Sequence, residues 1–116
     1  MYVISKIFEF SASHQLGGLP DSHPCARLHG HNYRVRVEVQ GEPDAVGFVF
    51  DYNGLAPLGA WLKENLDHRH LNDVFGFNPT AENMACYLQS VAVRLGIPAS
   101  AIAVSETPKT WAEYRP

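Results

Sequence analysis

The stretch CARLHGHNY, residues 25–33, places a thiol and two imidazoles within seven positions. These groups bind transition metals and move protons near neutral pH. On an extended chain, residues i and i+2 project from one face. His29 and His31 can therefore aim at one spot, with Gly30 turned away. A third imidazole, His14, ends the segment FEFSASH, on the face shared by Phe8, Phe10 and Ala12. If the two segments are neighbouring strands, three imidazoles converge. Three neutral nitrogens suit Zn²⁺ at about 2.0–2.1 Å and leave one position open, as in catalytic rather than structural zinc. The same donors also suit Fe²⁺, Ni²⁺ or Cu²⁺. Cys25 closes the loop that enters the second segment, near the expected ion, where a thiol is drawn toward thiolate. Nucleophile, fourth ligand and general base all remain open for it. His23 and His70 lack such a pattern and read as solvated or supporting residues. Cys86, among Ala85, Tyr87 and Leu88, reads as a small packed side chain.

Positioning these groups requires strands. Period-two alternation predicts one over residues 2–14 and another over about 29–40, where Val35, Val37 and Val39 alternate with charged residues. Residues 15–28 (GG, LP, HP) and 41–50 read as connections. Leu55, Leu58, Leu62 and Leu66 form a helical stripe over 53–66. Residues 67–78 read as irregular. A second helix is expected over 79–95, capped by Asn78 or Thr80 and stopped by Gly96 and Pro98. Its buried face would be Ala81, Met84, Ala85, Leu88, Ala92 and Leu95. Residues 101–106 and 110–115 read as short strands around a TPK turn. The order β-β-α-α-β-β implies an α+β fold, a four-stranded, mostly antiparallel sheet with two helices on one face.

The composition bounds the partners. The 116 residues fit one domain, 46% hydrophobic and 18% charged, with net charge −3. An acidic chain argues against nucleic-acid binding, which needs a basic surface. No apolar run approaches membrane-spanning length. Two cysteines are too few for a disulfide scaffold. A cytoplasmic protein is expected.

Several motifs then fall in order along nearly the whole chain: FSASH at 10–14, CARLHGHNY at 25–33, FDY at 50–52, LDHRHLN at 66–72, PTAEN at 79–83 and SET at 105–107. In this set the chain resembles the 6-pyruvoyl-tetrahydropterin synthase superfamily. The three residues between Cys25 and His29 resemble its bacterial 6-carboxy-5,6,7,8-tetrahydropterin synthase branch, of queuosine biosynthesis; the animal-type pyruvoyl enzymes have a longer spacer.

The resemblance implies the tunnelling fold, in which the strands of three subunits close a barrel and two trimers stack into a homo-hexamer with active sites at subunit interfaces. It implies His14, His29 and His31 as zinc ligands, Cys25 as the proton-transfer residue, and Asp67 with His68 as the rest of the relay, brought in by a neighbouring subunit. Glu106, helped by Thr107, would anchor the pterin, because a carboxylate accepts from the two-donor edge formed by its amino group and ring N–H. Glu82 reads first as a helix-start residue. The implied substrate is 7,8-dihydroneopterin triphosphate. Lys6, Arg27, Arg69 and Lys109 are the candidate triphosphate cations. A 6-pyruvoyltetrahydropterin synthase or related side-chain lyase is the nearest alternative, and a non-catalytic pterin- or metal-binding module the more distant one.

Overall fold

A computed structural model describes residues 1–116. Strand β1 (Tyr2–His14) pairs antiparallel with β2 (His29–Gly41) along their full length, from Tyr2 opposite Gly41 to His14 opposite His29. Helix α1 (Ala56–Asn65) follows a 3₁₀ turn at Tyr52–Leu55. A two-residue strand β3 (Arg69–His70), one short turn α2 (Leu71–Val74) and the long helix α3 (Ala81–Arg94) come next. Strands β4 (Ala101–Ser105) and β5 (Ala112–Tyr114) complete the chain. The sheet order is β3-β1-β2-β4-β5.

Register explains the core. Directly opposed residues of an antiparallel pair share a face. Phe10 therefore joins Tyr33, Phe8 joins Val35, and Val35 joins Val104. This apolar face packs on both helices. Leu55, Leu58, Leu62 and Leu66 are all buried, as their spacing predicts. Gly59 lets α1 close on β1, since a Cβ there would lie 2.5 Å from a ring carbon of Phe8. Leu62→Ala should cost about 2–5 kcal/mol, the usual range for a buried leucine truncation. Chemical denaturation would measure it, and a loss below about 1 kcal/mol would contradict Leu62 as a core residue.

Four expectations need correction. The sheet has five strands, not four, because Arg69 and His70 pair in parallel with Ala12 and Ser13. A two-residue strand carries no periodicity to detect. The segment 67–78 also holds α2 and is not wholly irregular. Leu95 leaves the buried face of α3, and Ile97 takes its place. Gly96, at φ +80°, reverses the chain so that the Ile97 N–H reaches the Ala92 carbonyl. Cys86 is exposed rather than packed. Helical rotation turns it away from the stripe of Met84, Ala85 and Leu88. No helix is long and apolar enough to cross a membrane.

Candidate metal centre and substrate site

The β1–β2 register decides where the histidines meet. His14 faces His29 directly, and Ala12 faces His31. All three imidazoles lie on the helix-covered face, their ligand nitrogens within 4.8 Å of one another. His14 is fully buried.

Two of the three rings are oriented from behind by backbone carbonyls. His14 Nδ1 lies 2.8 Å from the Pro79 carbonyl, and His29 Nδ1 lies 2.7 Å from the Arg27 carbonyl. A carbonyl only accepts, so both Nδ1 atoms carry the proton and donate. In the neutral rings each Nε2 then presents a lone pair. Those two Nε2 atoms stand 2.8 Å apart. Two lone pairs that close repel unless a cation lies between them. The third ring tells the same story: His31 Nε2 is buried without a hydrogen-bond partner. Such an arrangement is costly for a bare protein and natural for a metal site, where the outer ring nitrogen is tied to a carbonyl. The donor set therefore fits a divalent transition metal.

Electrostatics agree. Burial lowers the pKa of both His14 and His31; the Pro79 carbonyl and then Glu106 pull His14 the other way, and Glu106 does so for His31, each more weakly than burial. The neutral, ligating form is favoured. For the metal-free protein the sign follows directly. Below the ordinary value of 6.5 the unfolded chain takes up protons that these folded rings refuse. Stability should fall as pH drops through 6.5. Urea midpoints measured across that window would show it, and a flat profile would contradict buried neutral rings.

Glu106 continues the face of Ile102 and Val104 past the end of β4, beside the triad. Its Oε2 lies 3.5 Å from His31 Nε2. It also lines a cleft of about 490 Å³ with Glu82, Trp111 and Tyr114. The Thr107 hydroxyl meets that of Thr110 at 2.9 Å, and the Thr107 carbonyl accepts from Ser105 Oγ. Thr107 thus braces the turn after Glu106. Tyr33, on the valine face as the alternation of β2 predicts, stacks on Phe10 and sets its ring edge-on to His14 and His31.

Asp67 and His68 form a contact of 2.9 Å between Oδ2 and Nδ1. The Ser11 N–H, 2.9 Å from Oδ1, and the His68 ring hold the Asp67 carboxyl below its usual range. His68 adopts φ +59°, a conformation that L-residues adopt at a cost. Its side chain is 83% exposed. Asp67 lines a groove of about 540 Å³ that His31, Glu106 and Thr107 also reach, floored by Ser11, Asn32 and Arg34. His68 lines an adjoining one with Ser13 and His70.

Cys25 sits elsewhere, in the 3₁₀ turn Pro24–Ala26, half-buried, and lines neither groove. Its N–H donates to His23 Nδ1, so His23 caps this turn. His70 Nδ1 meets Ser13 Oγ at 3.0 Å. Lys6 lies eight residues from His14 along β1, about 27 Å at the usual rise of a strand, and its ammonium rests over Phe8. Within one chain that separation sets Lys6 apart from the triad. The carbonyls of Arg27 and Pro79 were not legible as ring-orienting groups, because every residue has one.

A helix-backed, mostly antiparallel sheet that gathers one buried and two half-buried imidazoles beside a carboxylate defines an α+β protein built around a metal-competent site. The chain matches the family model described as 6-pyruvoyl tetrahydropterin synthase over residues 3–116. It is 36% identical to the 6-carboxy-5,6,7,8-tetrahydropterin synthase of Synechocystis sp., covering 98% of this chain and 93% of that protein. The enzyme of the same name from Bacillus subtilis is 30% identical, with 99% and 86% covered. The structure of Caenorhabditis elegans 6-pyruvoyl tetrahydropterin synthase superimposes with a TM-score of 0.85 at 28% identity, covering 99% of this chain and 95% of that one. The chain belongs to the 6-pyruvoyl tetrahydropterin synthase family and is an enzyme with its tunnelling fold.

Proposed function

We propose that the chain converts 7,8-dihydroneopterin triphosphate and one water to 6-carboxy-5,6,7,8-tetrahydropterin, acetaldehyde and triphosphate, in queuosine biosynthesis. The observation that carries this reading is the facing ring nitrogens of His14 and His29 beside a His31 nitrogen that makes no hydrogen bond and has the Glu106 carboxylate 3.5 Å away. The near-full-length likeness to proteins named for that product supports it.

His14, His29 and His31 would hold Zn²⁺. When bound, the ion supplies a Lewis acid that acidifies the C–H beside the substrate's side-chain hydroxyls. Glu106 accepts from the donor edge of the pterin and fixes the ring. Cys25 accepts the side-chain proton. His68, its charged form stabilised by Asp67, returns a proton to the ring system. Cys25 and His68 occupy different parts of one chain. The reading therefore places the working site between copies, in a cytoplasmic homo-hexamer.

Incubation of zinc-loaded protein with 7,8-dihydroneopterin triphosphate, followed by mass spectrometry, tests the assignment. A 6-carboxy product with acetaldehyde is expected. A 6-pyruvoyl product would transfer the protein to the sister activity. No turnover by metal-replete protein would leave pterin or metal binding alone.

A further inference from the structure

Two asparagines have no part in the site described so far: Asn72, which ends LDHRHLN, and Asn78, which immediately precedes PTAEN. Both side chains clamp the backbone of the segment that follows His14. Asn72 Oδ1 accepts from the Gln15 N–H at 2.9 Å, and its Nδ2 donates to the Gln15 carbonyl at 2.7 Å. Asn78 does the same to Gly17, at 3.0 and 3.2 Å. Gln15 and Gly17 are thus each paired, donor and acceptor together, by a side-chain amide.

The other side of this segment holds the cysteine turn. The Leu16 N–H donates to the Cys25 carbonyl at 3.0 Å, and Gln15 Nε2 donates to the Ala26 carbonyl at 2.9 Å. The segment 15–17 is therefore a splint between the amide clamps and the turn that carries the thiol. The clamps are themselves fixed. The Asn78 carbonyl accepts from the Thr80 N–H at 2.8 Å and from Asn83 Nδ2 at 2.9 Å, and Thr80 caps α3. The residue between Asn78 and Thr80 is Pro79, whose carbonyl orients His14. One short stretch before α3 thus ties down both the metal ligand and, through the splint, the cysteine.

We propose that Asn72 and Asn78 are positioning residues that hold the Cys25 turn in register with the three-histidine centre. The inference rests on the proposed role of Cys25, but its structural half is testable without turnover. Cys86, exposed on α3, is an internal reference thiol in the same molecule.

The test is the rate of iodoacetamide alkylation of Cys25 relative to Cys86, read by peptide mass spectrometry on the metal-loaded full chain. It would be run for wild type, Asn72→Ala, Asn78→Ala and the isosteric Asn72→Asp and Asn78→Asp. Leu62→Ala serves as a variant destabilised through the core and away from the turn. Release of the splint should raise the Cys25 to Cys86 ratio at least threefold in the alanine variants. The aspartates keep the acceptor but set a carboxylate oxygen against the Gln15 or Gly17 carbonyl in place of the donor, so they too should raise the ratio at least threefold. Leu62→Ala should leave the ratio within twofold. In parallel, kcat on the pterin triphosphate should fall at least tenfold in the alanine variants while KM stays within threefold and metal content is unchanged. An unchanged ratio in both alanine variants, or a ratio that Leu62→Ala raises equally, would overturn the proposal. If the wild type shows no turnover, the functional reading fails while the alkylation ratio still decides the clamp; should the alanine variants not fold, the aspartates decide it.

Discussion

His29→Ala should strip the metal from the protein. Metal analysis of the purified variant should read far below one ion per chain, and turnover of the pterin triphosphate should be lost with it. The reason lies in how little slack the site has. His14 Nε2 and His29 Nε2 face each other at 2.8 Å, with both Nδ1 protons committed to carbonyls. Removing one lone pair removes the feature that demands a cation. Two imidazoles remain, too few for the three-ligand set of a catalytic zinc site. Loss of a supporting partner alone costs about 10–100-fold in metal affinity, so loss of a ligand should cost more. A second readout separates this from misfolding. In the metal-free state the variant is relieved of the lone-pair repulsion, so it should be at least as stable as metal-free wild type in urea. Unchanged metal stoichiometry would sink the three-histidine centre.

Cys25→Ala should do the opposite to the two properties. The Cys25 thiol is not among the converging ligand atoms, so the variant should keep one ion per chain and keep its pterin affinity. A positioned proton-transfer group contributes about 10²–10⁴ in rate. Turnover should fall by that factor, measured at saturating substrate. Cys86→Ala should leave the rate unchanged, because that thiol lies exposed on α3. Full activity in Cys25→Ala would show that another group moves the proton.

The two outcomes together separate an enzyme from a binding module. A protein that only holds a metal and a pterin needs the triad and Glu106 but gains nothing from Cys25. Loss of rate with retention of both ligands is a result that binding alone does not produce.

Much of this protein follows from local pattern. Alternation along residues 2–14 and 29–40 predicts strands and their buried faces, because side-chain direction on a strand depends only on parity. The leucine stripe predicts α1 for the same kind of reason. Parity also aims His29 and His31 at one spot. That His14 joins them needed the β1–β2 register, which depends on how long the connecting loop is and how it folds. The Arg27 carbonyl behind His29 is a contact two residues away along the chain, whereas tertiary structure alone put the Pro79 carbonyl behind His14. The same holds for Arg69 and His70 pairing with β1, for the Asp67 carboxylate held by the Ser11 N–H, and for the asparagine clamps on residues 15–17. Each of these joins positions more than fifty residues apart through a single hydrogen bond or two. Such contacts leave no periodic trace in the chain. They exist only once the apolar faces have packed and brought the polar groups within reach.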